Sequence, residues 1–345
     1  MCPVSIERNA PLHALNTFGI AARAARLVRI SSEADVRAAL AVPDIRYAPK
    51  FVLGGGSNLV LTGQVLPTVF KVEIAGMRVL GTEGDATLVE AGAGVRWHDF
   101  VHWTLQQCLP GLENMALIPG TVGAAPVQNI GAYGMEAAER LHSLDAIDLR
   151  SGKLFTLTAA GCAFGYRDSI FKRSGGMGLA GRALITRVRF ALPRRWRPRL
   201  GYLDLEKRME ATGCRSPSAQ QIFDWVVDIR RNKLPDPAQL GNAGSFFKNP
   251  SVSAEQCRDI IAREPQLVHY PMPGGSYKLA AGWLIDACGW RGKRIGRAGV
   301  YERQALVLVN LGGASGGEVM TLAKAIQTSV YERFGIRLEP EPVVL

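Results

Sequence analysis

Apolar residues at 97, 100, 101 and 105 recur at helical spacing in Trp97-His-Asp-Phe-Val-His-Trp-Thr-Leu-Gln-Gln107, which predicts a helix with one buried face. The same spacing runs longer in Glu318–Phe334, where Val319, Leu322, Ala323, Ile326, Val330 and Phe334 share a face. Helix starts are marked at Ser32, ahead of an acidic first turn, and at Ser253, three residues before Gln256 in capping-box spacing. A helix is expected over Pro217–Arg231 with Ser216 as its cap, and another over Ala281–Cys288, ending at Gly289. Elsewhere the pattern is that of strands. Phe51–Glu90 breaks into short apolar runs separated by Gly, Pro and Asp. Leu144–Leu149, a turn at Ser151-Gly152 and Lys153–Leu157 predict a hairpin. Ala183–Leu192 alternates in part, Ala305–Asn310 is a buried strand, and extended residues from Ile336 finish the chain. Strands dominate the first half and alternate with helices in the second, so the class is α+β. The arginine-rich run Pro193–Leu200 divides the halves, giving expected domains of 1–192 and 200–345.

Two stretches obey neither period. Ile118-Pro-Gly-Thr-Val-Gly-Ala-Ala-Pro-Val-Gln-Asn-Ile-Gly-Ala-Tyr-Gly134 holds four glycines, two prolines and no charge. Such a run is neither helix nor half-buried strand, and its bare main chain suits phosphate or a flat polar ring system. Val52-Leu-Gly-Gly-Gly-Ser-Asn-Leu-Val-Leu61 reads as strand, tight turn, strand. It is not a dinucleotide fingerprint, because no helix follows and the third glycine is missing, and it is not a P-loop, because no Gly-Lys-Ser/Thr follows.

Composition narrows the classes. Of 345 residues, 47% are hydrophobic and 21% charged, which is globular and too long for one core. No apolar run reaches membrane-spanning length and no apolar signal segment opens the chain, so a cytoplasmic protein without a membrane partner is expected. The cysteines at 2, 108, 162, 214, 257 and 288 form no Cys-x-x-Cys pair, so free thiols are expected rather than disulfides or zinc. His98 and His102, four apart, lack a third ligand nearby, and no metal is expected. The net charge of +11 admits nucleic acid or anionic small substrates. The cluster at 194–199 is broken by prolines and no nucleic-acid signature accompanies it, so small anions are preferred.

Three side chains invite chemistry. Ser245 follows a glycine in Asn242-Ala-Gly-Ser-Phe-Phe-Lys-Asn-Pro250, so its hydroxyl is presented without crowding; it is either a proton donor or a turn serine bonded to its own backbone. Arg167, in Gly165-Tyr-Arg-Asp-Ser-Ile-Phe-Lys172, either holds a carboxylate or pairs with Asp168. Glu339 and Glu341 are two apart in an expected strand and share a face, either functional or solvated.

Leu53-Gly-Gly-Gly-Ser-Asn58 and Ile118-Pro-Gly…Gln-Asn-Ile-Gly-Ala-Tyr-Gly134 resemble the flavin-cradling loops of the UDP-N-acetylenolpyruvoylglucosamine reductase family. Asn16-Thr-Phe-Gly-Ile20, Tyr166-Arg-Asp-Ser-Ile-Phe-Lys172, Asn242–Pro250 and Leu338-Glu-Pro-Glu341 match too, in family order. The resemblance implies a flavin fold of the PCMH, vanillyl-alcohol-oxidase-like type in two subdomains, followed by a substrate-binding domain. It implies non-covalent FAD, NADPH as co-substrate, and reduction of UDP-N-acetylglucosamine enolpyruvate to UDP-N-acetylmuramate by a monomer. By motif match it places the cofactor at Gly54, Gly55, Gly56, Ser57, Asn58, Pro119, Gly120, Gly123, Ala124, Asn129, Gly131, Ala132 and Tyr133. It makes Ser245 the proton donor and Arg167 and Glu341 the stabilisers of an enolate. Substrate contacts would fall on Tyr202, Arg230, Lys233, Asn249 and Gln304. Two departures stand out: Ala124 and Ala125 replace hydroxyl residues found in some relatives, and only four residues follow Glu341. The competing readings are an oxidase of the same fold, with FAD covalently on His98 or His102, and a basic nucleic-acid-binding protein.

Overall fold

The alternation in 183–192 becomes the central strand of a sheet in the computed structural model, which describes residues 4–63 and 65–345. Ala183–Pro193 lies antiparallel between Leu141–Asp148 and Ala86–Gly92, with Leu154–Thr158 and Met77–Glu83 at the two edges. Leu184, Val188, Phe190 and Leu192 of that strand are buried. Helix Trp97–Gln106 sets Trp97, Phe100 and Val101 into the same core. The Trp97 and Phe100 rings lie 5.7 and 5.3 Å from that of Phe190, an aromatic cluster of ordinary spacing. Glu90 is only 2% exposed, and arginines surround it: Arg78 at 2.7 Å, Arg189 at 2.9 Å and Arg187 at 3.6 Å. A carboxylate tolerates such burial only when paired in this way.

A second sheet carries Ile6–Pro11, Arg23–Ile30, Val65–Val72 and Lys50–Leu53 in that order. The last two are parallel, with Lys50 opposite Thr68. Helix Glu33–Ala41 precedes Lys50–Leu53, capped reciprocally by Ser32 and Asp35 as its sequence predicts. These two sheets make up one compact unit, formed of the described residues up to Ala10, Ala24–Gly56 and Val65–Arg231.

The other unit gathers Pro11–Arg23, residues 57–63 and Asn232–Leu345. Its antiparallel sheet runs Gly241–Ser245, Val307–Asn310, Ala298–Val300, Arg294–Ile295. Helix Gly316–Phe334 packs on it, burying the predicted face from Val319 to Phe334. A smaller sheet of Ser251–Val252, Tyr277–Leu279 and His269–Pro271 completes it. The strand after the glycine turn, Leu59–Val60, pairs in parallel with Val343–Val344 rather than joining the sheet of Lys50–Leu53. So the turn at 54–58 hands the chain from one unit to the other.

Some local readings change. Helix Ala219–Lys233 is capped by Ser218, whose hydroxyl accepts from Gln221 N–H at 3.2 Å while the Gln221 side chain returns the bond at 2.9 Å. Ser216 is therefore not the cap. Helix Leu203–Thr212 has no counterpart among the elements expected from the sequence. The run 193–200 is bound into the first unit: Trp196 Nε1 donates to Glu113 at 2.7 Å and Arg199 pairs with Glu139 at 2.6 Å. Compact packing divides instead after Arg231. Glu341 lies outside any strand, and beyond Ile336 only Val343–Val344 is one. Cys2 lies outside the described residues. Among them, no helix is long and apolar enough to cross a membrane.

Candidate active site

The two glycine-rich stretches meet within the first unit. A Cβ on Gly55 would stand 2.8 Å from Gly120 Cα, and one on Gly54 would stand 2.7 Å from Thr121 Oγ1. Gly123 presses equally against Ala93, 2.4 Å from where its Cβ would be. No larger residue fits this seam, so glycine here serves close main-chain approach. Lys71 Nζ holds the Gly54 carbonyl at 2.5 Å, and burial lowers the Lys71 pKa against the opposing pull of Glu73. The Thr121 hydroxyl is buried without a hydrogen-bond partner. An orphaned buried hydroxyl in a seam of uncharged glycine main chain fits an acceptor-rich ligand such as a flavin nucleotide. Thr121 had no assigned role, though it is the sole aliphatic hydroxyl in 118–134.

The end of the long stretch is more ordered than its composition suggests. Gly131–Ala132 and Met135–Glu136 form a miniature antiparallel hairpin. Its turn residues Tyr133 and Gly134 both have positive φ, 49° and 78°, as the favoured two-residue hairpin turn requires. Asn129 also has positive φ, 47°. Its side chain is fully committed: Nδ2 donates to Glu136 and the Gly165 carbonyl, and Oδ1 accepts from Ala138 N–H. Its main chain is engaged as well, the N–H donating to the Pro126 carbonyl at 3.4 Å.

Arg167 is attached to this stretch. Its Nη2 donates to the Gly131 carbonyl at 3.1 Å and its Nη1 to that of Asn129 at 3.5 Å. The guanidinium lies over the Tyr166 ring at 5.2 Å, and the residue itself is in left-handed backbone, φ 53°. Asp168 pairs with Arg173 at 2.6 Å, so the alternative of an Arg167–Asp168 bridge is not what the fold makes. A non-glycine residue held at positive φ, with its cation tied to loop carbonyls, is a strained and placed group.

Tyr202 and Arg230 converge on Tyr133. The Tyr133 and Tyr202 rings meet edge to face at 5.0 Å. Arg230 hydrogen-bonds the Tyr133 side chain, and its Nε is buried without a partner. Burial pushes the Tyr133 phenol up to about 12, and burial likewise draws the Arg230 guanidinium down. His98 Nδ1 accepts from Leu117 N–H at 3.0 Å, just ahead of the stretch, and burial lowers its pKa. The His98 and His102 rings lie against Phe223, at 5.3 and 5.6 Å.

The second unit brings together Ser245, Asn58 and Glu341. Ser245 is exposed and follows Gly244, whose φ of 68° leaves open space where a Cβ would be. The next residue, Phe246, accepts from Glu341 N–H at 2.8 Å, and Asn58 Nδ2 donates to the Glu341 carbonyl at 3.3 Å. Glu339 diverges, paired with Lys248 at 3.1 Å. The short tail is tied down, since Leu345 N–H donates to the Val60 carbonyl at 2.9 Å. Asn249 Oδ1 caps helix Ala281–Ala287 by accepting from Ala281 N–H at 2.9 Å, which leaves its amide nitrogen for a ligand. Gln304 Oε1 accepts from Leu306 N–H at 3.3 Å and abuts Gly282 on that helix. Lys233 ends helix Ala219–Lys233 and is exposed.

Comparison with known proteins follows the same division. Residues 236–345 match the model of the UDP-N-acetylenolpyruvoylglucosamine reductase C-terminal domain, and residues 24–158 match an FAD binding domain. The chain is 59% identical over 345 residues to the UDP-N-acetylenolpyruvoylglucosamine reductase of Azoarcus sp. (strain BH72), covering 99% of this chain and 98% of that protein. It is 56% identical to the enzyme of that name from Paraburkholderia phytofirmans, covering 97% and 96%. Among solved structures it is similar to UDP-N-acetylenolpyruvylglucosamine reductase from Thermus caldophilus, with 26% identity, TM-score 0.67 and 99% of each chain covered. Likeness to p-cresol methylhydroxylase, at 11% identity and TM-score 0.50 over 96% of this chain and 83% of that one, concerns the fold alone.

Proposed function

Since the chain belongs to the UDP-N-acetylenolpyruvoylglucosamine reductase family, we propose that Ser245, Arg167 and Glu341 carry the reduction it performs. The reaction is the NADPH-dependent, FAD-mediated reduction of UDP-N-acetylglucosamine enolpyruvate to UDP-N-acetylmuramate, a step of peptidoglycan synthesis. The seam of Gly54–Gly56 and Pro119–Tyr133 would hold FAD, which when bound would supply a hydride to the methylene carbon of the enol ether. The neighbouring carbon is left as an enolate conjugated with the carboxylate. Ser245 Oγ gives that carbon its proton and regains one from solvent. The Arg167 guanidinium and Glu341 act on the enolate, where preorganised charge has its largest effect.

Ser245 supports this reading most directly: it is exposed, unshadowed by a preceding side chain, and follows a left-handed glycine. Tyr202 and Arg230, beside Tyr133, and Lys233, Asn249 and Gln304 would bind the nucleotide. A nucleotide diphosphate and two phosphate-bearing cofactors account for a net charge of +11 without nucleic acid. We place the enzyme in the cytoplasm as a monomer with non-covalent FAD, and assign substrate binding chiefly to residues 200–345.

Ser245→Ala tests the assignment. NADPH should reduce the flavin at the unsubstituted rate, and reoxidation by the enolpyruvyl substrate should fall by about 10²–10⁴-fold in stopped flow. Unchanged reoxidation removes Ser245 from the mechanism.

A further inference from the structure

The segment Asn16-Thr-Phe-Gly-Ile20 matches the family pattern, yet none of its residues is assigned to catalysis or binding. It packs against the strand that ends at Ser245, within the same compact unit. Thr17 and Asn242 bridge each other twice across the chain: Asn242 N–H donates to the Thr17 carbonyl at 3.0 Å, and the Thr17 hydroxyl donates to the Asn242 carbonyl at 2.7 Å. One residue thus holds both main-chain polar groups of Asn242.

The backbone beyond Asn242 is irregular. Strand Gly241–Ser245 pairs with Val307–Asn310 as Asn242↔Val309 and then Ser245↔Val307, so one residue is extra and the ladder is bulged. Gly244 within the bulge has φ 68°. A bulge re-aims the side chain after it, and here that side chain is Ser245. The irregular backbone needs an anchor, and Asn242 provides one. It is only 2% exposed, its Oδ1 accepts from Gly244 N–H at 2.9 Å, and its Nδ2 donates to the carbonyls of Leu240 at 2.8 Å and Pro235 at 3.2 Å.

The anchor is held from outside by 16–20. Asn16 fixes that turn from within, donating to the Leu12 and Ile20 carbonyls and accepting from Ile20 N–H, each at 2.9 Å. Asn310 Nδ2 donates to the Phe18 carbonyl at 2.8 Å. A Cβ on Gly241 would stand 2.3 Å from that same oxygen, so the two segments are in main-chain contact.

Resting on the assignment of Ser245 as proton donor, we infer that Thr17 is a positioning residue for proton transfer: its hydroxyl clamps Asn242, which fixes the bulge that aims Ser245 Oγ. The Thr17 hydroxyl acts through Asn242, not on the substrate. Its loss releases the Asn242 carbonyl while Thr17's own carbonyl still receives Asn242 N–H. The bulge then has slack, and a displacement of about 1 Å at a proton donor costs up to roughly 10²-fold in rate.

Thr17→Val keeps the shape and removes the hydroxyl, and Thr17→Ser keeps the hydroxyl. The experiment compares both half-reactions of the FAD-loaded enzyme by stopped flow, with Ser245→Ala and the double variant alongside. For Thr17→Val the expected result is NADPH reduction at the unsubstituted rate, reoxidation by the enolpyruvyl substrate slowed about 10–100-fold, and a larger solvent deuterium isotope effect on reoxidation. Thr17→Ser restores both quantities. Thr17→Val/Ser245→Ala is no slower than Ser245→Ala alone, because a positioner has nothing left to aim. Amide hydrogen exchange at Gly244 and Ser245 is faster in Thr17→Val, a readout independent of turnover. Reoxidation within twofold of the unsubstituted enzyme overturns the inference. Equal slowing of both half-reactions also overturns it and leaves Thr17 a stability residue. If Ser245→Ala itself reoxidises normally, the proton-donor reading fails instead, and the two failures are told apart.

Discussion

Gly55→Ala isolates the close approach of the two glycine stretches from any backbone-angle effect. Gly55 does not sit at positive φ, so alanine fits its main chain; the obstruction is Gly120, whose Cα and C would stand 2.8 and 3.3 Å from the new methyl. Both obstructing atoms are backbone and cannot swing aside. To reach an ordinary contact the stretches must part by about 0.6 Å, an overpacking strain that typically costs about 1–3 kcal/mol. In a chain of this size that lowers Tm by roughly 1–4 °C. If FAD is held by both stretches at once, much of the strain appears as weaker binding, about tenfold for each 1.4 kcal/mol. The comparison variant is Gly134→Ala, where nothing lies within 4 Å but φ is 78°. It should lose about 1–2 kcal/mol through left-handed strain alone. Titration of deflavinated protein with FAD, followed by flavin fluorescence, and melts with and without FAD measure both terms. An unchanged FAD affinity in Gly55→Ala, or a greater loss of affinity in Gly134→Ala, refutes the shared-seam argument.

Other outcomes rest on the same geometry. Burial lowers the His98 pKa in the folded state, so its contribution to stability is complete above the unfolded value of about 6.5 and is lost as pH falls through the lower folded value. A protonated ring also cannot accept the Leu117 N–H. Melts between pH 7 and 5 should therefore drop more steeply for the unsubstituted protein than for His98→Asn, which keeps an acceptor without a proton site; parallel curves contradict this. Arg167→Ala should slow substrate-driven flavin reoxidation by about 10²–10³-fold while NADPH reduction survives, and loss of both steps together would mean that the arginine chiefly shapes the loop. Asn16→Ala removes three buried hydrogen bonds and should cost about 2–4 kcal/mol in urea unfolding; a cost under 1 kcal/mol would show that the 12–20 turn is held by its other contacts.

Periodic segments were legible because their order is local. The buried face of Gly316–Phe334, the caps at Ser32 and Ser253 and the hairpin over 141–158 depend on residues a few positions apart. Capping shifted by two residues at Ser218, where Pro217 and two nearby serines made the start ambiguous. The glycine stretches announced close main-chain packing, and motif likeness named the candidate residues for a site. The sequence did not reveal how polar groups would be shared. Asn129 spends its side chain on the loop itself, Asn249 on a helix start, and Arg173 takes Asp168, the carboxylate that was the alternative partner for Arg167.

By itself, then, the chain's order of residues determined its long periodic helices, the strands of the 141–192 region, the glycine-rich loops and the family. Only tertiary structure decided that the turn at 54–58 passes from one compact unit to another, that residues 193–231 pack with the first, and that Thr17 reaches Asn242. The physical reason is range. Helix periods and caps are satisfied within a turn or two of chain, whereas a carbonyl 225 residues away finds its donor only after both backbones have been fixed by packing.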